Sequence, residues 1–122
     1  MSEIEFIRDL NSLSPKQALV VHLANITSKD RLLEEIGLKL SFPNYYGQNW
    51  DALEECLLDL VWLDEKEVLL VHDEIPGIQE SELRTYLHIL SEILRNWERS
   101  GERSVRAVFS TKDELRIRSL RG

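Results

Sequence analysis

Apolar and polar positions alternate in two rhythms along this chain. Three short runs are rich in β-branched and aliphatic side chains: Ala18-Leu19-Val20-Val21-His22-Leu23, Val68-Leu69-Leu70-Val71-His72 and Ser104-Val105-Arg106-Ala107-Val108-Phe109. The first two are nearly continuous in apolar character, as expected of strands covered on both faces. The third has Arg106 inside it and predicts a less well covered strand. Between the runs, apolar residues recur at helical spacing. Ser28 is a natural N-cap ahead of Arg31, Leu32, Leu33 and Ile36. A second helix is predicted over residues 50–62 and a third over residues 80–99. In the third, Leu83, Leu87, Leu90, Leu94 and Trp97 follow at spacings of 4, 3, 4 and 3, which makes one apolar stripe, and Gly101 stands beyond it as a C-cap.

Strand, helices, strand, helix, strand implies right-handed crossovers and a parallel sheet. The predicted architecture is therefore α/β: a small three-stranded parallel sheet packed with helices, in one domain spanning residues 1–122. Residues 1–16 and 111–122 fall outside the pattern and read as short N- and C-terminal extensions. Ile4, Phe6, Ile7 and Leu10 suggest an added helical turn, and the tail holding Arg116, Arg118 and Arg121 reads as mobile or loosely docked.

Composition narrows the class. With 122 residues, 43% hydrophobic and 30% charged, the chain suits a single core. Its uninterrupted apolar stretches of four or five residues are too short to span a bilayer. Met1-Ser2-Glu3-Ile4-Glu5 lacks the basic start and apolar run of a signal peptide. Cys56, the one cysteine, cannot form an internal disulfide or a cysteine-based zinc site. These features lead us to expect a cytoplasmic protein without a cofactor.

Charge changes the picture more than composition does. The net charge of −7 argues against direct binding to nucleic acid or to an anionic membrane. Residues 1–43 hold 6 acids and 5 bases, residues 44–82 hold 11 acids and the single base Lys66, and residues 83–122 hold 5 acids and 9 bases. The segments carry −1, −10 and +4, so the acidity is concentrated in the middle third. Such a field steers a basic partner toward it, although an acidic face kept for solubility has the same composition.

The segment from Phe42 to Leu53, Phe-Pro-Asn-Tyr-Tyr-Gly-Gln-Asn-Trp-Asp-Ala-Leu, sits inside that acidic third. Pro43 ends the preceding helix, Gly47 offers a positive φ for a tight turn, and Asn49 is an N-cap. Asp51 then meets the positive end of the helix dipole. At about 100° per residue, Leu53, Cys56, Leu57 and Leu60 form the buried stripe of the helix, while Asp51, Glu55 and Asp59 line the opposite face. Leu58 and Trp62 fall within the acidic face. Apolar anchors inside a charged rim fit an interface, whereas the plainer reading has them packed under a neighbouring loop.

The motif Phe-Pro-x-Tyr-Tyr-Gly-x-Asn-x-Asp-Ala-Leu at positions 42–53 resembles the barstar family of intracellular ribonuclease inhibitors, and the order of elements agrees over residues 17–110. The resemblance implies a compact α/β protein that binds a secreted microbial ribonuclease before export and protects the producing cell. It also implies that the loop and following helix plug the enzyme's basic active site, with carboxylates standing where RNA phosphates would lie. By motif, Tyr45 is the aromatic that packs on the enzyme, Asp51 is the first interfacial acid, and Glu55 occupies the place of the family's most important aspartate. Glu55 carries one more methylene than that aspartate, and the family's tryptophan is replaced by Glu54. Near the end of the last helix, where the family has acids, Arg95, Asn96, Glu98 and Arg99 stand instead. The candidate partner-binding residues are Tyr45, Tyr46, Asn49, Trp50, Asp51, Glu54, Glu55, Leu58, Asp59 and Trp62. The implied partner is a basic extracellular-type ribonuclease or another cationic toxin domain.

Two other classes compete. One keeps the barstar-like fold as an interaction module for a non-nuclease protein. The other is an enzyme built on His72 with Asp73 and Glu74 at a strand end, where ligands of parallel sheets gather. Little supports the enzyme. His22, His72 and His88 are scattered, and no HExxH, GxGxxG, GxxxxGK[ST] or GxSxG motif occurs. Cys56 reads as an inert buried thiol and Trp97 as core. The expectation is therefore a non-catalytic protein with no metal site.

Overall fold

The computed structural model describes residues 3–13, 17–44 and 46–121. Its elements are β1 (Glu5–Ile7), β2 (Ala18–Leu23), α1 (Lys29–Lys39), α2 (Trp50–Asp59), β3 (Glu67–His72), α3 (Glu80–Ser100), β4 (Ser104–Ser110) and α4 (Glu114–Arg121), with 3-10 turns at Leu10–Ser12 and Thr111–Asp113. The three sequence-predicted strands form, and all pairings are parallel, but the sheet has four strands in the order β1-β4-β3-β2. The fourth is β1, from the segment expected to add a helical turn. Glu5, Phe6 and Ile7 pair with Val108, Phe109 and Ser110. Three residues show too short a period for the pattern to separate strand from helix.

β1 also accounts for the arginine inside β4. Glu5 receives two hydrogen bonds from Arg106, each 2.8 Å long, and holds the guanidinium charged even more firmly than usual. Glu67 lies 4.0 Å away on the other neighbouring strand. Val105, Ala107, Val108 and Phe109 are all buried, so β4 is better covered than Arg106 suggested.

Topology assigns the two faces of the sheet. The steps from β2 to β3 and from β3 to β4 cross it in one direction, while the step from β1 to β2 returns from edge to edge. With right-handed crossovers, these connections lie on opposite faces. Val21, Leu23, Val68, Leu70, Val105, Ala107 and Phe109 face the core with α1, α2 and α3. Leu69, Val71 and Val108 point the other way and are also buried, on the side of the return link that includes half-buried Leu10 and Leu13.

The tail beyond β4 is docked rather than mobile. Ile117 and Leu120 of α4 are buried, Arg84 donates to the Leu120 carbonyl at 3.0 Å, and Arg121 donates to the Ser91 hydroxyl at 3.0 Å. Arginines on the other faces of this short helix masked its apolar pair. Ser28 caps α1 through the Arg31 amide, and Gly101 ends α3 in the left-handed conformation, both as predicted. Among the described residues, no helix is long and apolar enough to cross a membrane.

Candidate functional site

The loop into α2 is held from beneath by α1. Tyr46 donates its hydroxyl to the Leu33 carbonyl at 3.0 Å, and its ring meets Phe42 edge-on at 4.7 Å. Gly37 on α1 makes room for it: a Cβ there would lie 2.8 Å from Tyr46 Cε2. Burial raises the Tyr46 ionisation well above that of an ordinary tyrosine, so the hydroxyl stays a donor. The positive φ expected at Gly47 belongs to its neighbour Gln48, at 51°. Gly47 serves a different need, since a Cβ would lie 3.3 Å from Nδ2 of Asn49 and crowd the cap. Asn49 is the N-cap, accepting from the Ala52 amide at 2.8 Å. Tyr45 lies outside the described residues.

Along α2 the stripe is as the spacing predicts: Leu53, Cys56 and Leu57 are buried, and Asp51, Glu55 and Asp59 are exposed on the other side. Glu54 is half-buried, and Leu58 is 37% exposed. The helix stops at Asp59, three residues short of the predicted end, because Leu60 takes a left-handed conformation (φ 51°) with its side chain buried. The placement of Trp62 on the acidic face therefore fails. Its ring turns back to Phe42, 5.9 Å between centroids, and its indole N–H donates to the Leu40 carbonyl at 2.9 Å. Trp50 also turns inward. Its N–H donates to Glu82 at 2.6 Å, and Lys29 sits over its ring at 5.3 Å. Three of the candidate aromatics, Tyr46, Trp50 and Trp62, thus fix the loop and helix to the body of the protein.

The far end of α2 is held by two residues whose part in this site the sequence reading missed. Trp97 donates its indole N–H to the Leu57 carbonyl at 2.8 Å. Arg103 donates to the carbonyls of Leu60, Leu63 and Glu65 and lies over the Trp97 ring. A helix that ends on Asp59 places a carboxylate at the negative end of its own dipole, and Arg103 supplies the opposing charge from outside the helix. No local signal marks Arg103, since its carbonyl partners lie about 40 residues away.

Ion pairing separates α2 from the other helices. On α1, Arg31 and Lys39 pair with Glu34 and Glu35, while Arg84 pairs with Glu80 on α3 and Arg118 with Glu114 on α4. α2 contains no basic residue, and no described cation pairs with Asp51, Glu54, Glu55 or Asp59. Each like-charged pair one turn apart costs an isolated helix ~0.2–0.5 kcal/mol, and here the row is left uncompensated. The Cys56 thiol beneath it is pushed up by burial and then by Glu55 and Asp59, which keeps it protonated and a poor nucleophile.

The histidines are not brought together. His22 is exposed, with Nδ1 3.3 Å from Asp73, and His88 is exposed on α3. His72 is fully buried, donates from Nδ1 to the Val108 carbonyl at 3.1 Å, and accepts the Tyr86 hydroxyl at 2.6 Å. Burial lowers its ionisation from 6.5 to about 4. It is a neutral core residue. Among the described residues, no group of metal-ligating side chains forms.

Fold and surface together define a class: a small α/β protein that displays one acidic helix, anchored at both ends, beside a tyrosine- and asparagine-bearing loop. The chain belongs to the barstar family, whose model, described as Barstar (barnase inhibitor), matches residues 16–110. The match ends with β4, so β1 and α4 lie outside it. A comparison with curated proteins gives no match.

Proposed function

We propose that this protein is a non-catalytic inhibitor, or immunity protein, that blocks the cationic active site of a microbial ribonuclease by imitating RNA phosphates with α2. One observation carries this reading: Asp51, Glu55 and Asp59 are exposed, one turn apart, and unpaired with any described cation, on a helix with no base of its own. A cationic cleft would relieve their mutual repulsion and lose its own. Membership in a family described by its inhibition of barnase supports the same partner class. The contact surface is Asp51, Glu55, Leu58 and Asp59, with Glu54 at its edge and Asn49 and Tyr45 at the loop. Tyr46, Trp50 and Trp62 hold that surface in place.

The test is binding and inhibition against a panel of small basic microbial ribonucleases. We expect one-to-one inhibition, with Asp51→Ala and Glu55→Ala each weakening binding by about 2–5 kcal/mol in calorimetry, as when one member of a desolvated charge pair is removed. Both exposed positions are expected to leave thermal unfolding nearly unchanged. Wild-type affinity in both variants would refute the mechanism. Capture of a non-nuclease partner through the same acids would favour the interaction-module reading.

A further inference from the structure

The strands run parallel, so their carboxyl ends lie along one rim of the sheet. β1 and β4 are neighbours there, with Ile7 paired to Ser110, and beyond that pair their chains part. The chain leaving β1 enters the return link on the outer face. The chain leaving β4 leads to α4, whose Ile117 and Leu120 join the core on the other face. Where neighbouring parallel strands send their connections to opposite faces, a crevice opens at their carboxyl ends, and open α/β sheets take their ligands there. Here that crevice has a volume of about 250 Å³. The exit of β1 supplies Arg8, Asp9 and Asn11, and the exit of β4 supplies Ser110 and Lys112. The exit of β3 supplies Asp73, which the register sets level with Ser110. Arg8, Asp9, Asn11 and Lys112 lie outside the residues matched to the family, and no residue of the crevice belongs to the surface proposed for the ribonuclease.

Two bases and two acids thus line one small crevice without pairing with each other. The Arg8 and Lys112 side chains have no partner among the described residues. Asp9 commits one oxygen to the Asn11 amide at 3.0 Å, and Asp73 places one 3.3 Å from Nδ1 of His22, while the second oxygen of each has no described partner. Ser110, 8% exposed, accepts from the Lys112 amide and has its O–H left to donate. This pattern selects the ligand. A simple anion would meet two carboxylates, a simple cation would meet two bases, and an uncharged molecule would answer neither sign. We infer that the crevice binds a small zwitterion of the α-amino-acid class, with its carboxylate toward Arg8 and Lys112 and its ammonium toward Asp73 and Asp9. Charge-assisted hydrogen bonds of both signs then replace the water on four charged groups. The volume lies below the roughly 300 Å³ at which sites for drug-sized ligands begin, which suits a ligand with a short side chain.

The test is a titration of the full chain with L-alanine, followed by two-dimensional amide NMR. Propionate and ethylamine, each keeping one of its two charged groups, are titrated separately. We expect saturable L-alanine shifts centred on residues 8–11, 73 and 110–112. Propionate and ethylamine are each expected to bind at least about tenfold more weakly, because each leaves charges of one sign unanswered. Arg8→Gln is expected to weaken L-alanine and spare ethylamine, whereas Asp73→Asn weakens L-alanine and spares propionate. Lys112→Gln repeats the Arg8 test from the other strand, and the α3 cross-peaks show that each variant is folded. Lys66→Gln, ahead of β3 at the opposite rim, should behave as wild type. Absence of saturable L-alanine shifts overturns the site. Propionate binding as tightly as L-alanine overturns the zwitterion, and undiminished L-alanine affinity in both Arg8→Gln and Lys112→Gln overturns the assignment of the carboxylate.

Discussion

Tyr46 and Trp62 both donate back to α1 and its C-cap, one to the Leu33 carbonyl and the other to that of Leu40. Two aromatics, one in the motif and one beyond it, therefore do positional work that a helical wheel cannot reveal. The wheel orders side chains only while the helix lasts, and Leu60 ends it. His72 shows a second limit. Its place at a strand end suggested chemistry, but burial decides its state. The unfolded chain takes up a proton near pH 6.5 and the folded chain only near 4, so between those values the unfolded state binds more protons. Stability is thus fully present above about pH 6.5 and falls as the pH drops toward 4, by about 3 kcal/mol over the whole window. Urea unfolding of wild type and His72→Gln at a series of pH values checks this. The variant is expected to show the shallower dependence, and parallel curves would refute the assignment.

Among the elements, those that run through several repeats of their period were legible and those with few repeats were not. The 21-residue α3 showed its stripe in five apolar positions, and Ala18–Leu23 matches β2 residue for residue. β1, with three residues, and α4, with eight, offered too few repeats. Both are nevertheless integral. Ile117 is fully buried in the core, so Ile117→Ala is expected to cost about 2–4 kcal/mol in urea denaturation. Leu115→Ala, on the same helix but 85% exposed, should change stability by less than about 0.5 kcal/mol. Equal effects would mean that α4 does not dock as described. The acidic face of α2 was readable from spacing alone. What secures its ends was not, because Trp97 and Arg103 come from distant parts of the chain.

For the whole molecule, charge is segregated by sequence region, with −10 over residues 44–82 and +4 over residues 83–122. Arg84, Arg95 and Arg118 pair with acids of their own helices α3 and α4, and no described base of these helices pairs with α2. A field of this kind acts before contact. The association rate with a bound ribonuclease is expected to fall steeply with ionic strength in stopped-flow measurements, while the dissociation rate changes little. A flat salt dependence would remove steering from the mechanism.

The pairing of β1 with β4 also constrains how the molecule is made. Glu5 and Arg106 are 101 residues apart, yet they share two hydrogen bonds. On a ribosome, β1 has no edge to join until β4, about 100 residues further along, has followed. Closure of this seam is therefore a late event in synthesis. Until then, β4 keeps an open edge beside Val108–Ser110.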